Sequence, residues 1–420
     1  MAGIIIYIRS NHSVPIYMQF KFSALADAMK PSEIRELLKY VSVPGLISFG
    51  GGMPHPSSFP VNDINTITSD LLLEKGRQLL QYGSTQGYED LRVQLVKLVK
   101  ETENISTDKD HFVLTAGSQE ALYSVSKIMT TPGEEVLCEA PTYIGTISAF
   151  RANGTVMRGI PMDENGILTE KLEEKIKTMK AAGKLPKFIY LIPTFQNPSG
   201  ISLSLDRRKH VLELASRYQI PIVEDNPYGE LRYSGNKLPS LKSLDKEDLV
   251  IYMSTFSKIL SPGLRVGFTC APDAVVNKMN LLKQATNLAT NTLAEAIAAE
   301  YLKRDLMRKN MPAVVKMYRE KRDTMIDALE TNFGSDANWS HPDGGMFLWL
   351  ALNDKINTTD MLKRAIEKKV AYVSGSAFYP NNPTFNTMRL NFTYSDNDQI
   401  VDGISRLAKV AKEEISLIAP

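Results

Sequence analysis

IPIVEDNPYGELRY, residues 220–233, holds the pattern on which the fold turns. Ile220, Ile222 and Val223 form a short apolar run, two acidic residues close it, and Asn-Pro-Tyr-Gly then breaks the chain. A run of that length bounded by turn residues reads as a buried strand, and a strand apolar nearly throughout has helices over both faces. Working outward, HFVLT (111–115), EVLCE (135–139), KFIYLIP (187–193), LVIYMS (249–254) and VGFTC (266–270) have the same character. Amphipathic stretches lie between them, such as 88–103, where Tyr88, Leu91, Leu95, Leu98 and Val99 share one helical face. This alternation over residues 86–270 predicts an α/β fold with a parallel sheet.

After residue 275 the pattern becomes helical through about 331, then turns to a shorter α+β section containing GGMFLWLAL (344–352) and MRLNF (388–392). A closing helix over 396–416 places Ile400, Ile404, Leu407, Ala411 and Ile415 on one side. SEIRELLKY (32–40) is helical by pattern and lies ahead of a glycine-rich turn, outside the main sheet. A chain of 420 residues exceeds one core of ordinary size, so two lobes are expected.

Composition narrows the function. Charged residues make up 23%, hydrophobic ones 43%, and the formal net charge is +2, so neither nucleic acid nor a membrane is implied as a partner. The apolar run Ile4-Ile5-Ile6-Tyr7-Ile8 is far shorter than a membrane span and lacks the features of a signal peptide, which points to the cytoplasm. Cys138 and Cys270 sit in strand-like runs and read as buried free thiols, and the five histidines are scattered, so no metal is expected.

The chemistry is concentrated where strands end. In STFSKILSPGLRVG (254–267), Lys258 follows a strand and is flanked by hydroxyls and an arginine. Such a lysine can form a Schiff base with an aldehyde, while Thr255, Ser257 and Arg265 grip a dianionic phosphate; a solvated loop lysine is the alternative. Asp225 ends an apolar strand, where a carboxylate needs a cationic or hydrogen-bonded partner. A protonated pyridine nitrogen is one such partner, and a turn cap is another. Tyr228 lies three residues on, within reach of the ring's phenolic oxygen. PTFQNPSG (193–200) projects the Asn197 amide from the carboxyl edge of the sheet toward the same oxygen, although Asn-Pro is also common turn punctuation. TAGSQEAL (115–122) passes from strand into helix, so N–H groups near Gly117, Ser118 and Gln119 face an anion. Tyr143, in EAPTYIG, reads either as a ring stacked on the pyridine face or as a core tyrosine.

In order, Gly117-Ser118-Gln119, Tyr143, Asn197-Pro198, Asp225, Tyr228, Ser257-Lys258, Arg265 and Arg389 resemble the fold-type I aminotransferases of the class I/II group, which use pyridoxal 5′-phosphate (PLP). The likeness covers nearly the whole chain. FGGGMPHPSSFP (49–60), LQYGSTQGYEDLR (80–92) and PDGGMFLWL (342–350) resemble the kynurenine/2-aminoadipate branch and its archaeal relatives. The resemblance implies a three-layer α/β/α large domain (61–305) with a mainly parallel sheet and a smaller α+β domain (306–420). Residues 1–60 would contribute to the small domain and to the active-site cover. It implies that Lys258 carries PLP and moves the proton, and that Arg389 clamps the substrate carboxylate with help from Asn197 and the backbone N–H of Gly52. Tyr82 is implied as a phosphate ligand reaching in from the neighbouring subunit of a homodimer, and Arg35 as a partner for a distal carboxylate. The alternatives for Arg389 and Arg35 are a surface salt bridge and an exposed helix-face residue beside Glu36. NPSG stands where NPTG is commoner, Gly50 where alanine is frequent and His55 where asparagine is frequent.

The expected reaction is a ping-pong exchange of an amino group from an aromatic, kynurenine or 2-aminoadipate donor to a 2-oxo acid such as 2-oxoglutarate, with Tyr143, Phe195 and Phe378 lining an apolar pocket. A PLP-dependent lyase or decarboxylase on the same scaffold is the alternative. A PLP-bearing transcriptional regulator would need a DNA-binding module ahead of the match, and a nucleotide-binding oxidoreductase would need a GxGxxG turn after a strand.

Overall fold

A computed structural model describes residues 20–27, 29 and 44–418. The helix expected over 32–40, with Arg35, lies outside the described residues. A short strand β1 (Ile47–Ser48) precedes the main sheet, which comprises β2 (Phe112–Thr115), β3 (Glu135–Ala140), β4 (Val156–Asp163), β5 (Gly166–Ile167), β6 (Ile189–Leu191), β7 (Ile222–Asp225), β8 (Val250–Thr255) and β9 (Gly267–Cys270). Their order is β2-β9-β8-β7-β6-β3-β4-β5. The neighbours from β4 through β8 pair in parallel, whereas β9 is antiparallel to both β8 and β2, and β5 is antiparallel to β4.

Each expected strand is present; β3 runs one residue past its expected end, β8 is shifted by one, and the others are shorter than their apolar runs. KFIYLIP contributes only Ile189–Leu191 to the ladder. Strand β4 has no counterpart among the sequence expectations. It runs near the sheet margin, where its residues are only partly buried, and Arg158, Gly159 and Pro161 interrupt the apolar pattern.

Helices α1 (Val61–Leu79), α2 (Glu89–Glu103), α3 (Ser118–Met129), α4 (Ile144–Ala152), α5 (Thr169–Ala181) and α6 (Leu205–Tyr218) accompany the sheet. Leu122, Val125 and Phe150 of α3 and α4 pack on Val113, Tyr190, Val223 and Ile251. Leu172, Val211 and Leu214 of α5 and α6 pack on Leu137, Ile189 and Ile222. Adjacent strand residues thus face opposite helix layers, which is why the strands are apolar throughout.

Three further helices follow, α7 (Asp273–Thr286), α8 (Thr292–Lys303) and α9 (Leu306–Phe333). Next come β10 (Asn338–Trp339), β11 (Phe347–Ala351), α10 (Thr358–Glu367), β12 (Val370–Ala371), β13 (Val373–Ser374), β14 (Thr387–Asn391) and α11 (Asn397–Ile418). Strands β10-β11-β14-β13 form an antiparallel sheet, and β1 pairs with β12. Ile400, Ile404, Leu407 and Ala411 are buried on α11, as the helical spacing predicts, and Ile415 is partly buried. Both cysteines are buried and free.

One contact joins the sheet to its phosphate-type turn. A Cβ at Gly267 would lie 2.6–2.8 Å from the backbone of Gly117 and Ser118, so β9 and the start of α3 touch main chain to main chain. We expect Gly267→Ala to cost about 1–3 kcal/mol, since backbone on both sides resists relaxation. A urea midpoint equal to that of the unsubstituted protein would show that the turn yields freely.

Candidate active site

Parallel strands deliver their carboxyl ends to one edge of the sheet. Here β2 leads to Gly117 and Ser118, β3 to Tyr143, β6 to Asn197, β7 to Asp225 and Tyr228, and β8 to Thr255, Ser257 and Lys258. The reversed strand β9 is entered from that same edge, so Arg265, which precedes it, joins the group. This reversal, in a sheet that is mainly parallel as expected, is what brings the arginine into place.

A cleft of about 630 Å³ opens there, lined by Gly52, Ser118, Gln119, Tyr143, Asn197, Asp225, Tyr228, Thr255, Ser257, Lys258, Arg265 and Arg389. Gly117 abuts it: a Cβ there would lie 2.6 Å from Arg265 Nη2, and its φ of +74° suits glycine. Tyr82 does not reach this cleft; it is 85% exposed and borders a separate hollow with Asn287 and Leu293.

Lys258 Nζ donates to the Gly52 carbonyl at 2.9 Å. Burial, reinforced by the positive charges of Arg389 and Arg265, lowers its pKa to about 8. Gly52 therefore offers the lysine its carbonyl. Arg389 is 1% exposed, which removes the surface-salt-bridge alternative. Its Nη1 donates to Asn197 Oδ1 at 3.0 Å and its Nη2 to the Gly50 carbonyl at 2.7 Å, while Nε has no partner among the described residues. The guanidinium lies 4.1 Å from the Phe347 ring centroid and 5.0 Å from that of Phe378. Burial lowers its pKa to about 10, so it stays cationic, and among the described residues no carboxylate pairs with it. A buried cation held only by neutral groups is a site for an anion.

Asn197 also donates through Nδ2 to the Tyr228 hydroxyl at 3.2 Å. Burial raises the Tyr228 pKa, so its own proton stays available to donate onward. Asp225 is 2% exposed; Oδ2 accepts from the Tyr190 hydroxyl at 3.0 Å and Oδ1 has no partner among the described residues. Desolvation pushes Asp225 up to about 7, with the Tyr190 hydrogen bond acting the other way. The Thr255 and Ser257 hydroxyls lie 2.9 Å apart, Gln119 Nε2 donates to the Gly145 carbonyl at 2.9 Å, and Arg265 Nη2 donates to the Ala116 carbonyl at 3.0 Å.

This donor set suits PLP. The unpartnered Asp225 oxygen suits a ring N–H, the Tyr228 and Asn197 pair suits a phenolic oxygen, and the hydroxyls, guanidinium and helix start suit a phosphate. Two expectations need correction. Phe195 is fully buried against Gly344 and Gly345 with Arg232 over its ring at 4.7 Å, and Phe378 is fully buried behind Arg389. Neither lines the cleft; Met53, Ile144, Ile192 and Phe347 supply its apolar wall. His55 also lies outside it, 3.3 Å from Asp396. Sequence reading missed Tyr190 and Phe347. The only signal for Tyr190 was a hydroxyl within an aliphatic strand, which requires a buried partner.

Because burial raises Asp225 above the ordinary carboxyl value, its contribution to folding is fully present below about pH 4 and lost as pH rises through about 7. Asp225→Asn removes that loss. Without cofactor, the variant should gain on the order of 1–3 kcal/mol over the unsubstituted chain by pH 8 and little at pH 4. Thermal denaturation across that range checks it; a pH-independent difference contradicts the assignment.

Comparison with known proteins gives the chain a family. Residues 51–406 match the aminotransferase class I and II family. The chain is 44% identical over 394 residues to aromatic-amino-acid aminotransferase 1 of Thermococcus litoralis, covering 94% of each. It is 36% identical over 407 residues to the 2-aminoadipate transaminase of Thermus thermophilus, covering 96% of this chain and all of the relative. A crystal structure of Pyrococcus horikoshii kynurenine aminotransferase with PMP is 45% identical and superposes with a TM-score of 0.91, covering 94% of this chain and 97% of that one. With its cleft at the carboxyl edge of a mainly parallel sheet, the chain belongs to the class I and II aminotransferases, enzymes of fold type I that work with pyridoxal 5′-phosphate.

Proposed function

We propose that the chain catalyses ping-pong transamination from an aromatic, kynurenine or 2-aminoadipate-type amino acid to 2-oxoglutarate. The observation that carries this reading is that Lys258 and Arg389 donate to the carbonyls of Gly52 and Gly50, two residues apart on one segment. A proton-moving amine and a carboxylate clamp are thereby held in a shared frame.

In this reading Lys258 carries the cofactor. PLP, when bound, supplies a ring that accepts the electron pair left as the substrate Cα–H bond breaks. Lys258 Nζ, with its lowered pKa, takes and holds the proton released from Cα. Arg389 grips the α-carboxylate, and Asn197 keeps that fork oriented while steering the Tyr228 hydroxyl toward the phenolic oxygen. Asp225 Oδ1 would receive the ring N–H, and the Tyr143 ring would cover one face. Ser118, Gln119, Thr255, Ser257 and Arg265 would hold the phosphate, and Gly117 leaves room for the arginine.

Met53, Ile144, Ile192 and Phe347 suit an apolar donor side chain. Arg35 is assigned the distal carboxylate of 2-oxoglutarate or 2-aminoadipate. The protein acts as a cytoplasmic homodimer in which Tyr82 enters the neighbour's site; the exposure of this tyrosine in the single chain supports that role. Among the described residues no helix is long and apolar enough to cross a membrane. We divide the chain into a covering segment (1–60), a cofactor-binding domain (61–305) and a smaller domain (306–420). Lyase or decarboxylase chemistry is disfavoured by the family.

Mixing the PLP-loaded protein with single amino acids, without a 2-oxo acid, should bleach the cofactor's visible band. Addition of 2-oxoglutarate should restore it, and Lys258→Ala should abolish the cycle. Bleaching that 2-oxoglutarate cannot reverse would instead indicate elimination or decarboxylation. Arg389→Lys should lower kcat/KM about a hundredfold, because a point charge cannot replace the planar fork. Uptake of PLP by the cofactor-free protein should accelerate with pH and level off above about 8, the value set by the buried Lys258. An ordinary lysine would keep accelerating to about pH 10.

A further inference from the structure

We propose that Thr146 and Tyr190 form a one-way hydroxyl relay that positions Asp225 and commits its Oδ1 to the cofactor's ring nitrogen. This rests on the reading that Asp225 faces that nitrogen. Thr146 and Tyr190 are both fully buried. Tyr190 lies on β6, paired with Val223 of β7, and its hydroxyl is 3.0 Å from Asp225 Oδ2. Thr146 Oγ1, in the first turn of α4, is 2.8 Å from the same hydroxyl.

Direction follows by elimination. Opposite a protonated ring nitrogen Asp225 is ionised and only accepts, so Tyr190 spends its single proton on Asp225, and Thr146 must donate to Tyr190. Oδ2 is thereby occupied, and Oδ1 is the oxygen left without a partner among the described residues. The relay also ties the carboxylate to α4, the helix whose N-terminal cap is Tyr143. One network therefore sets both the carboxylate under the ring nitrogen and the aromatic side chain assigned to the ring face.

The Tyr190 bond also keeps the carboxylate a weak enough base for the shared proton to stay on the ring. Removing it leaves Asp225 a stronger base, which draws the proton to itself and leaves a neutral ring that accepts electrons poorly. The other ionisable groups acting on this part of the site are the cations Lys258, Arg265 and Arg389, which line the same cleft, Glu139, on β3, and the hydroxyls of Tyr143 and Tyr228. Burial raises the last three, Glu139 to about 8.

The test uses holoenzyme loaded with PLP carrying ¹⁵N in the ring. In the unsubstituted protein the ¹⁵N signal should sit at the protonated position. In Tyr190→Phe it should move toward the neutral position, with kcat falling about tenfold and KM changing less than about twofold. Thr146→Val should move it the same way by less, and Thr146→Ser should restore it. If Tyr190→Phe does not fold, Thr146→Val against Thr146→Ser decides the matter. Asp225→Asn separates the two claims. A signal unmoved by Asp225→Asn overturns the underlying reading. A signal that responds to Asp225→Asn but not to Tyr190→Phe or Thr146→Val overturns the relay alone.

Discussion

Arg389 is buried at the centre of the small antiparallel sheet and makes its hydrogen bonds outside it, to Gly50 and to Asn197. Asn197 follows a strand of the main sheet, so one guanidinium fixes the two sheets against each other. Its charge has no carboxylate partner among the described residues, and a desolvated cation is tolerable only if neutral acceptors surround it and an anion can reach it. Most of the cleft follows from that requirement. The Gly50 carbonyl must face the guanidinium, which sets the course of the chain through Gly52, and Gly52 in turn fixes the Lys258 amine.

Burial does electrostatic work here beyond packing. Lys258 and Arg389 lose proton affinity and Asp225 gains it, in each case chiefly through desolvation. Lys258, at about 8, and Asp225, at about 7, can thereby hold or release protons near physiological pH, while Arg389, at about 10, stays cationic. Charge pairing would undo this, and Asp225 is hydrogen-bonded to tyrosine instead. The carboxylate and the two cations are kept apart by neutral donors and acceptors, which leaves each able to meet a ligand group.

Much of the architecture was legible because the signals are local. Strands such as Ile222–Asp225 are nearly continuous apolar runs, and α11 keeps a helical stripe from Ile400 to Ala411. The site residues were legible through their order and strand-end context, which a parallel sheet converts into one edge. What escaped detection lacked a local signature. Strand β4 is partly exposed and broken by Gly159 and Pro161, and the apolar wall drew on Phe347 rather than Phe195 because a core aromatic and a site aromatic have the same sequence.

The order and chemical types of the residues, with the periodicity of the segments that carry them, were therefore enough to determine the fold class and to collect Lys258, Asp225 and Asn197 at one end of a sheet. Only the tertiary structure decided that β9 runs backward to bring Arg265 to that end, and that Gly50 and Gly52 offer carbonyls to the two cations. It also decided that Tyr190 turns its hydroxyl to Asp225. Strand direction depends on pairing between distant segments, and hydrogen-bond partners depend on which distant groups are buried together; neither is a property of a local stretch of chain.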